Sequence, residues 1–258
     1  MPNDYFSFKQ FTIRQDKCAM KVGTDGVLLG VLAPVLPTAL SNDLPDVLQN
    51  NNENAYKILD IGTGTGLVAI MLAQRTEGKA EITAVEIDSD ASDQARDNAS
   101  KTPWKIDVYN NSIQEFACES TQKFDLIVSN PPFFVNSLKA PEKSRNTARH
   151  TDTLSFEDLV ISAEKLLLNE GRFTVIIPVQ SECDFIKVAN AQNLVAETIV
   201  RVVPKVGKEA KRSVITFVRK QEKSHCNINI TELVIETENR HCYSDEFKRL
   251  TADFYLKG

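Results

Sequence analysis

Residues 57–66 read Lys57-Ile58-Leu59-Asp60-Ile61-Gly62-Thr63-Gly64-Thr65-Gly66, a short apolar run closed by an acid and three alternating glycines. Such a run predicts a strand, and residues 67–75 directly after it predict a helix. From there strand-like and helix-like segments alternate. Strands are expected over 81–87, 105–109, 124–129 and 173–177, and helices over 89–100, 155–169 and from 181 to about 192. The 155–169 helix has the strongest pattern, with Ser155 and Asp158 as a cap and Phe156, Leu159, Val160, Ala163, Leu166 and Leu167 at helical spacing. Ser181 and Asp184 suggest a cap for the helix after it. Residues 197–203 and 213–219 alternate like a hairpin joined by the loop 204–212. This alternation predicts an α/β fold, a parallel sheet covered by helices.

Outward from the core, Asn50, Asn51, Asn52, Glu53 and Asn54 mark a solvated loop, so residues 1–50 read as an N-terminal extension and 51–223 as the core. Residues 224–258, with a strand over 228–236 and a helix over 246–254, read as an appendage to that core.

The chain has 258 residues, 42% of them hydrophobic and 25% charged, which excludes disordered, collagenous and disulfide-scaffold classes. The longest apolar run, 27–36, is broken by Gly30 and Pro34 and is too short for a membrane span. No secretory leader is evident. Cys18, Cys118, Cys183, Cys226 and Cys242 form no CxxC pair, which predicts reduced thiols in a cytoplasmic protein. His150, His225 and His241 lack ligand-like spacing, so no metal is expected.

A formal net charge of -5 argues at first against nucleic acid. The charge is segregated, however. Residues 201–223 hold eight basic side chains against Glu209 and Glu222, and residues 139–150 hold Lys139, Lys143, Arg145 and Arg149 against Glu142. Two local positive fields can attract phosphates while the whole molecule stays acidic.

The glycine loop predicts close approach of a ligand to the backbone. Its third glycine comes one position too soon for a dinucleotide fingerprint, and Asp60 is an acid where a phosphate would be unwelcome. A ligand with a cationic amino-acid end suits that carboxylate better. Glu86, at the end of the next strand, stands where an acid takes the two hydroxyls of a ribose. With these residues the chain resembles the class I S-adenosylmethionine-dependent methyltransferases. The resemblance implies a doubly wound, Rossmann-like, seven-stranded and mainly parallel sheet with a C-terminal antiparallel hairpin. It also implies S-adenosyl-L-methionine as cofactor, held by Asp60, Gly62, Gly64, Gly66 and Glu86. The family's acid near the adenine is replaced here by Ser112, with Asn111 as the other candidate.

Asn130-Pro131-Pro132-Phe133 follows the fourth core strand, at the carboxyl end where open parallel sheets bind ligands. Asn130 offers an acceptor, the two prolines hold the chain stiff, and Phe133 offers a flat face for a ring. This segment resembles the motif of amino-group methyltransferases acting on adenine N6, cytosine N4 or a glutamine amide. The implied reaction is a direct displacement in which Asn130 and the Pro131 carbonyl accept hydrogen bonds from the amine. No metal or covalent nucleophile is needed, and orientation is a large part of the catalysis.

The N-terminal stretch narrows the resemblance. Residues 6–11 read as an aromatic strand, followed by a polar turn and an apolar helix. Together with the Asn130 motif, Phe6-Ser7-Phe8-Lys9-Gln10-Phe11 and the 16–30 segment containing Lys21-Val22-Gly23-Thr24-Asp25-Gly26 resemble the bacterial valine-tRNA adenine-37 N6-methyltransferases. The resemblance implies that Lys21, Thr24 and their neighbours lie over the cofactor, and that tRNA is the partner of a monomeric enzyme. Arg145 and Arg149 are then expected to hold phosphates beside a flipped-out adenosine. Lys205, Lys208, Lys211 and Arg212 are expected to clamp a more distant part of the tRNA. The alternatives are a protein glutamine N5-methyltransferase, an rRNA guanine N2-methyltransferase and an inert RNA-binding adaptor of the same fold.

Overall fold

The computed structural model describes residues 3–18, 21–35, 55–132, 154–221, 227–239 and 242–256. A small hairpin, β1 (Tyr5–Ser7) and β2 (Thr12–Arg14), leads to helix α1 (Thr24–Leu32). The core then alternates β3 (Lys57–Ile61), α2 (Leu67–Arg75), β4 (Glu81–Glu86), α3 (Ser89–Ser100), β5 (Ile106–Asn110), α4 (Ile113–Glu119) and β6 (Phe124–Ser129). After α5 (Phe156–Leu166) come β7 (Leu167–Pro178), α6 (Glu182–Ala191), β8 (Leu194–Lys205), β9 (Arg212–Arg219), β10 (Asn229–Glu236) and α7 (Asp245–Thr251).

Among the described residues the main sheet has eight strands in the order β10-β8-β9-β7-β6-β3-β4-β5. All neighbours are parallel except β7 with β9 and β8 with β9. The α/β class, the central parallel sheet and the β8–β9 hairpin match the sequence expectation; the strand count does not. Instead of seven strands there are eight, because the tail segment β10 pairs along β8 from Asn229↔Thr198 to Glu236↔Lys205. Buried Leu233, with Ile235 half-buried on the same face, gives β10 an apolar side in the same core as Val202.

Alternation along β3 shows how both faces are covered. Leu59 and Ile61 join the core beneath α4, α5 and α6, whereas Ile58 joins the core beneath α1 and α2. A third cluster fastens the N-terminal hairpin: Phe8, Phe11 and Ile13 pack with Val27, Val31, Met71 and Phe254.

Four local differences have physical reasons. The aromatic stretch at 6–11 is a hairpin, because Phe8 N donates to Phe11 O at 2.8 Å and closes a turn there. Helix α4 was not anticipated; Ser112 caps it by accepting from Glu115 N, and Ile113, Phe116 and Ala117 are its buried residues. Helix α5 stops at Leu166 and β7 starts at once, earlier than residue 173, where Gly171 has room for no side chain against Phe124 O. Ser181 stands at the start of α6 without a side-chain capping bond, because a 3-10 turn over Val179–Ser181 feeds the helix directly.

Candidate active site

Strands β3, β4, β5, β6 and β7 run parallel, so Ile61, Glu86, Asn110, Ser129 and Pro178 end at one edge of the sheet. Antiparallel β9 begins at that same edge, with Arg212 paired to Pro178, and Lys205 of β8 and Glu236 of β10 finish there. This is the edge at which open α/β sheets bind ligands.

The turn from β3 to α2 is built by its glycines. Gly62, Gly64 and Gly66 have φ of 69°, 54° and 81°, a region that disfavours any side chain. A Cβ on Gly62 or Gly64 would meet nothing within 4 Å among the described residues, so the loop faces space they leave open. Gly66 differs: its Cβ would stand 3.4 Å from Ala95, which makes it a packing contact with α3.

Two acids flank this space. Asp60 is 1% exposed and accepts from Thr63 Oγ1 at 2.6 Å and Ala69 N at 3.2 Å, both on Oδ2. Burial pushes its carboxyl up to about 7; the two hydrogen bonds oppose this, and the nearby Glu86 carboxylate adds to it. Glu86 accepts from Gly64 N at 2.8 Å on one oxygen and from Asp88 N at 3.0 Å on the other. It thereby fixes the glycine loop and the turn after β4, and a carboxylate has further lone pairs left for a ligand.

Ser112 is drawn into capping α4, since its hydroxyl accepts from Glu115 N and donates to Glu115 Oε2. Asn110, which sequence reading missed, donates to the carbonyls of Glu86 and Ile87 at 2.9 and 3.0 Å and pins the same turn. Ile87 is 57% exposed and presents an apolar face beside Glu86.

Asn130 leaves the sheet immediately after Ser129, whose hydroxyl donates to Ile61 O at 3.0 Å and ties the end of β6 to β3. Asn130 Oδ1 is buried and has no hydrogen-bond partner among the described residues. An orphaned buried acceptor is costly unless something donates to it. Pro131 is buried and Pro132 half-buried. Phe133, Arg145 and Arg149 lie outside the described residues.

Lys21 and Thr24 are exposed on the segment that opens α1. That segment is held by Gln15 Oε1, which accepts from Val22 N at 2.7 Å, and by Asp25, which accepts from Arg212 Nε at 2.8 Å. Arg212 therefore serves the N-terminal segment. Lys205, Lys208 and Lys211 form no ion pair among the described residues, and with Pro204, Gly207, Glu209 and Glu236 they line an open concavity of about 510 Å³. The concavity lies three strands from β6, about 14 Å at the usual strand spacing, on the same edge as Asn130.

The residues fit S-adenosylmethionine. A buried carboxylate suits the ammonium end, a carboxylate at the end of β4 suits ribose hydroxyls, and the open side of Gly62 and Gly64 leaves room for the ligand between them. Among the described residues no three His, Cys, Asp or Glu side chains gather as metal ligands, and no helix is long and apolar enough to cross a membrane.

Residues 40–198 match the methyltransferase small domain family. The chain is 47% identical over 258 residues to a tRNA1(Val) (adenine(37)-N6)-methyltransferase of Phocaeicola vulgatus, with 99% of each chain covered. It is 43% identical over 263 residues to the protein of that name from Parabacteroides distasonis, with all of both chains covered. Among solved structures, a predicted O-methyltransferase from Agrobacterium tumefaciens superposes with a TM-score of 0.62 at 21% identity, over 89% of this chain and 96% of that one.

Proposed function

The chain belongs to the methyltransferase small domain family and to the group named tRNA1(Val) (adenine(37)-N6)-methyltransferases, and from that premise we propose that it methylates N6 of adenine 37 in a valine tRNA. The observation that carries the chemistry is the buried Oδ1 of Asn130 at the carboxyl edge of β6, which has no hydrogen-bond partner among the described residues.

S-adenosylmethionine, when bound, supplies a methyl group on a cationic sulfur. Asp60 would hold its ammonium end and Glu86 its ribose, with Gly62 and Gly64 giving the backbone room to approach. Asn130 Oδ1 and the Pro131 carbonyl accept the two N–H groups of the adenine amine. That withdraws the nitrogen lone pair from conjugation with the ring and turns it toward the methyl group. Phe133 provides the face on which the flipped base stacks. Ser112 or its neighbour Asn111 borders the cofactor adenine.

Lys205, Lys208 and Lys211 form a tRNA-docking surface on the active edge, and Arg145 and Arg149 hold phosphates nearer the base. What supports this is the position of the basic concavity on the edge that carries Asn130, with its lysines in no ion pair among the described residues. In this reading the enzyme acts as a cytoplasmic monomer without a metal.

The test is incubation with labelled S-adenosylmethionine and bulk tRNA from a strain lacking the protein, followed by nucleoside mass spectrometry. Label in N6-methyladenosine of one valine tRNA is expected. Label in any other nucleoside, or none in tRNA while added rRNA or cell protein becomes labelled in parallel incubations, would overturn the assignment.

A further inference from the structure

Two amide side chains on α3, Gln94 and Asn98, stand four residues apart on one side of the helix and are 2% and 0% exposed. Neither was expected to matter, yet both bond to the N-terminal segment. Asn98 Oδ1 accepts from Arg14 N at 2.9 Å, and its Nδ2 donates to Arg14 O and to Thr65 O, each at 2.8 Å. Gln94 Oε1 accepts from Lys17 N at 3.2 Å. Thr65 lies between Gly64 and Gly66, so one side chain joins the N-terminal segment to the glycine loop.

The segment beyond is fastened on both sides of the site. Next to Lys17, Cys18 sits close enough to Glu86 for that carboxylate, after burial, to help push its thiol up to about 11. At the far end Asp25 is held by Arg212 at the start of β9. Helix α3 flanks β4 and β5, whereas β9 lies beyond β6 and β7. The two anchorages therefore stand on opposite sides of Asp60 and Asn130.

We propose that Asn98, seconded by Gln94, is a positioning residue for the cofactor: it sets the register of residues 14–18 against the glycine loop and thereby the affinity for S-adenosylmethionine. This rests on the reading of the loop as the cofactor site. Chemistry dictates the residue type, because pairing with both the N–H and the C=O of Arg14 requires an acceptor and a donor on one side chain. A second donor hydrogen then reaches Thr65. An aspartate at this position would keep the acceptor and lose both donors.

The experiment uses the full chain: calorimetric titration with S-adenosylmethionine and hydrogen exchange are done without tRNA, and steady-state kinetics with tRNA held saturating. Asn98→Asp is expected to raise the cofactor Kd and KM about tenfold, as for loss of buried hydrogen bonds, with kcat at saturating cofactor within about twofold. Exchange at residues 11–17 should quicken. Gln94→Ala should do the same by a few-fold, and it carries the test if Asn98→Asp melts too low to assay. Faster exchange with unchanged Kd would overturn the proposal, as would unchanged exchange or a fall in kcat with KM intact. Wild-type protein that fails to bind S-adenosylmethionine would instead overturn the reading of the site.

Discussion

Arg212 and Asp25, 187 residues apart in sequence, meet through a 2.8 Å hydrogen bond between Nε and Oδ2. The pair links the first turn of α1 to the start of β9, and so joins the N-terminal segment to the end of the basic loop. Both side chains keep some solvent contact, so the coupling measured in a double-mutant cycle should be modest, about 0.5–1 kcal/mol. Arg212→Ala and Asp25→Asn should each weaken cofactor binding, and the double variant should do little worse than either alone. Fully additive losses in calorimetric titration would show that the pair acts as two separate residues.

Asp60 predicts a pH dependence. Its folded pKa of about 7 lies above the ordinary 3.8, so the folded protein keeps this proton to higher pH than the unfolded chain. On this account the apoprotein loses stability as pH rises from about 4 to about 7, and Asp60→Asn should flatten that decline in thermal melts. Affinity for a ligand ammonium runs the other way. It should strengthen from about pH 5.5 to about pH 7.5, with a proton released on binding, below the range where an α-amino group itself deprotonates. Calorimetry in two buffers of different ionisation enthalpy would detect the proton.

Removing the orphaned acceptor isolates chemistry from binding. Asn130→Ala should lower kcat by about 10²–10³, the scale seen when one preorganised polar group at a reacting centre is deleted. The cofactor Kd should stay within a few-fold. A variant with near-normal turnover in single-turnover methylation would end the role assigned to Oδ1.

Gly64→Ala separates backbone strain from ligand access. The added methyl meets no atom of the described residues within 4 Å, and φ of 54° limits the penalty to about 1–2 kcal/mol of stability. Cofactor affinity should fall by much more than that strain accounts for, because the methyl projects into the open space beside Glu86. Matching losses in melting and in titration would place the ligand elsewhere.

Charge reversal at Lys205, Lys208 and Lys211 should raise the KM for tRNA and reduce its salt dependence. Each lost phosphate contact should lower the slope of log affinity against log salt by about 0.7–0.9. Cofactor binding without tRNA should be unchanged. An unaltered salt slope would return the loop to solvent.

Residues whose chemistry depends on neighbours in sequence were legible. Asp60, the three glycines and Glu86 announce themselves because strand, turn and helix follow in order, and Asn130 because two prolines come next. Helix α4 was hidden by its brevity, even though Ser112 and Glu115 form a cap-like pair. Phe8 reads as a strand residue because the ring stacked on it, Tyr255, arrives from the far end of the chain, and Phe11 because its partner Trp104 lies beyond α3. Asn98 shows the same limit: an asparagine among alanines and aspartates gives no sign that Arg14, 84 residues earlier, will lie against it.

One contact also concerns the order in which the molecule is made. Lys9 N donates to Phe254 O at 2.8 Å, and Lys9 Nζ to Ala252 O at 2.5 Å, with Phe8 and Phe254 buried in one cluster. A ribosome delivers residue 9 well before residue 254, while the core between them can fold as it emerges. The hairpin therefore waits, while the whole core is made, for the segment that clamps it. A nascent chain that already carries Asp60, Glu86 and Asn130 would still lack the contact that fastens its N-terminal hairpin, so the hairpin is the last part of this cluster to be secured.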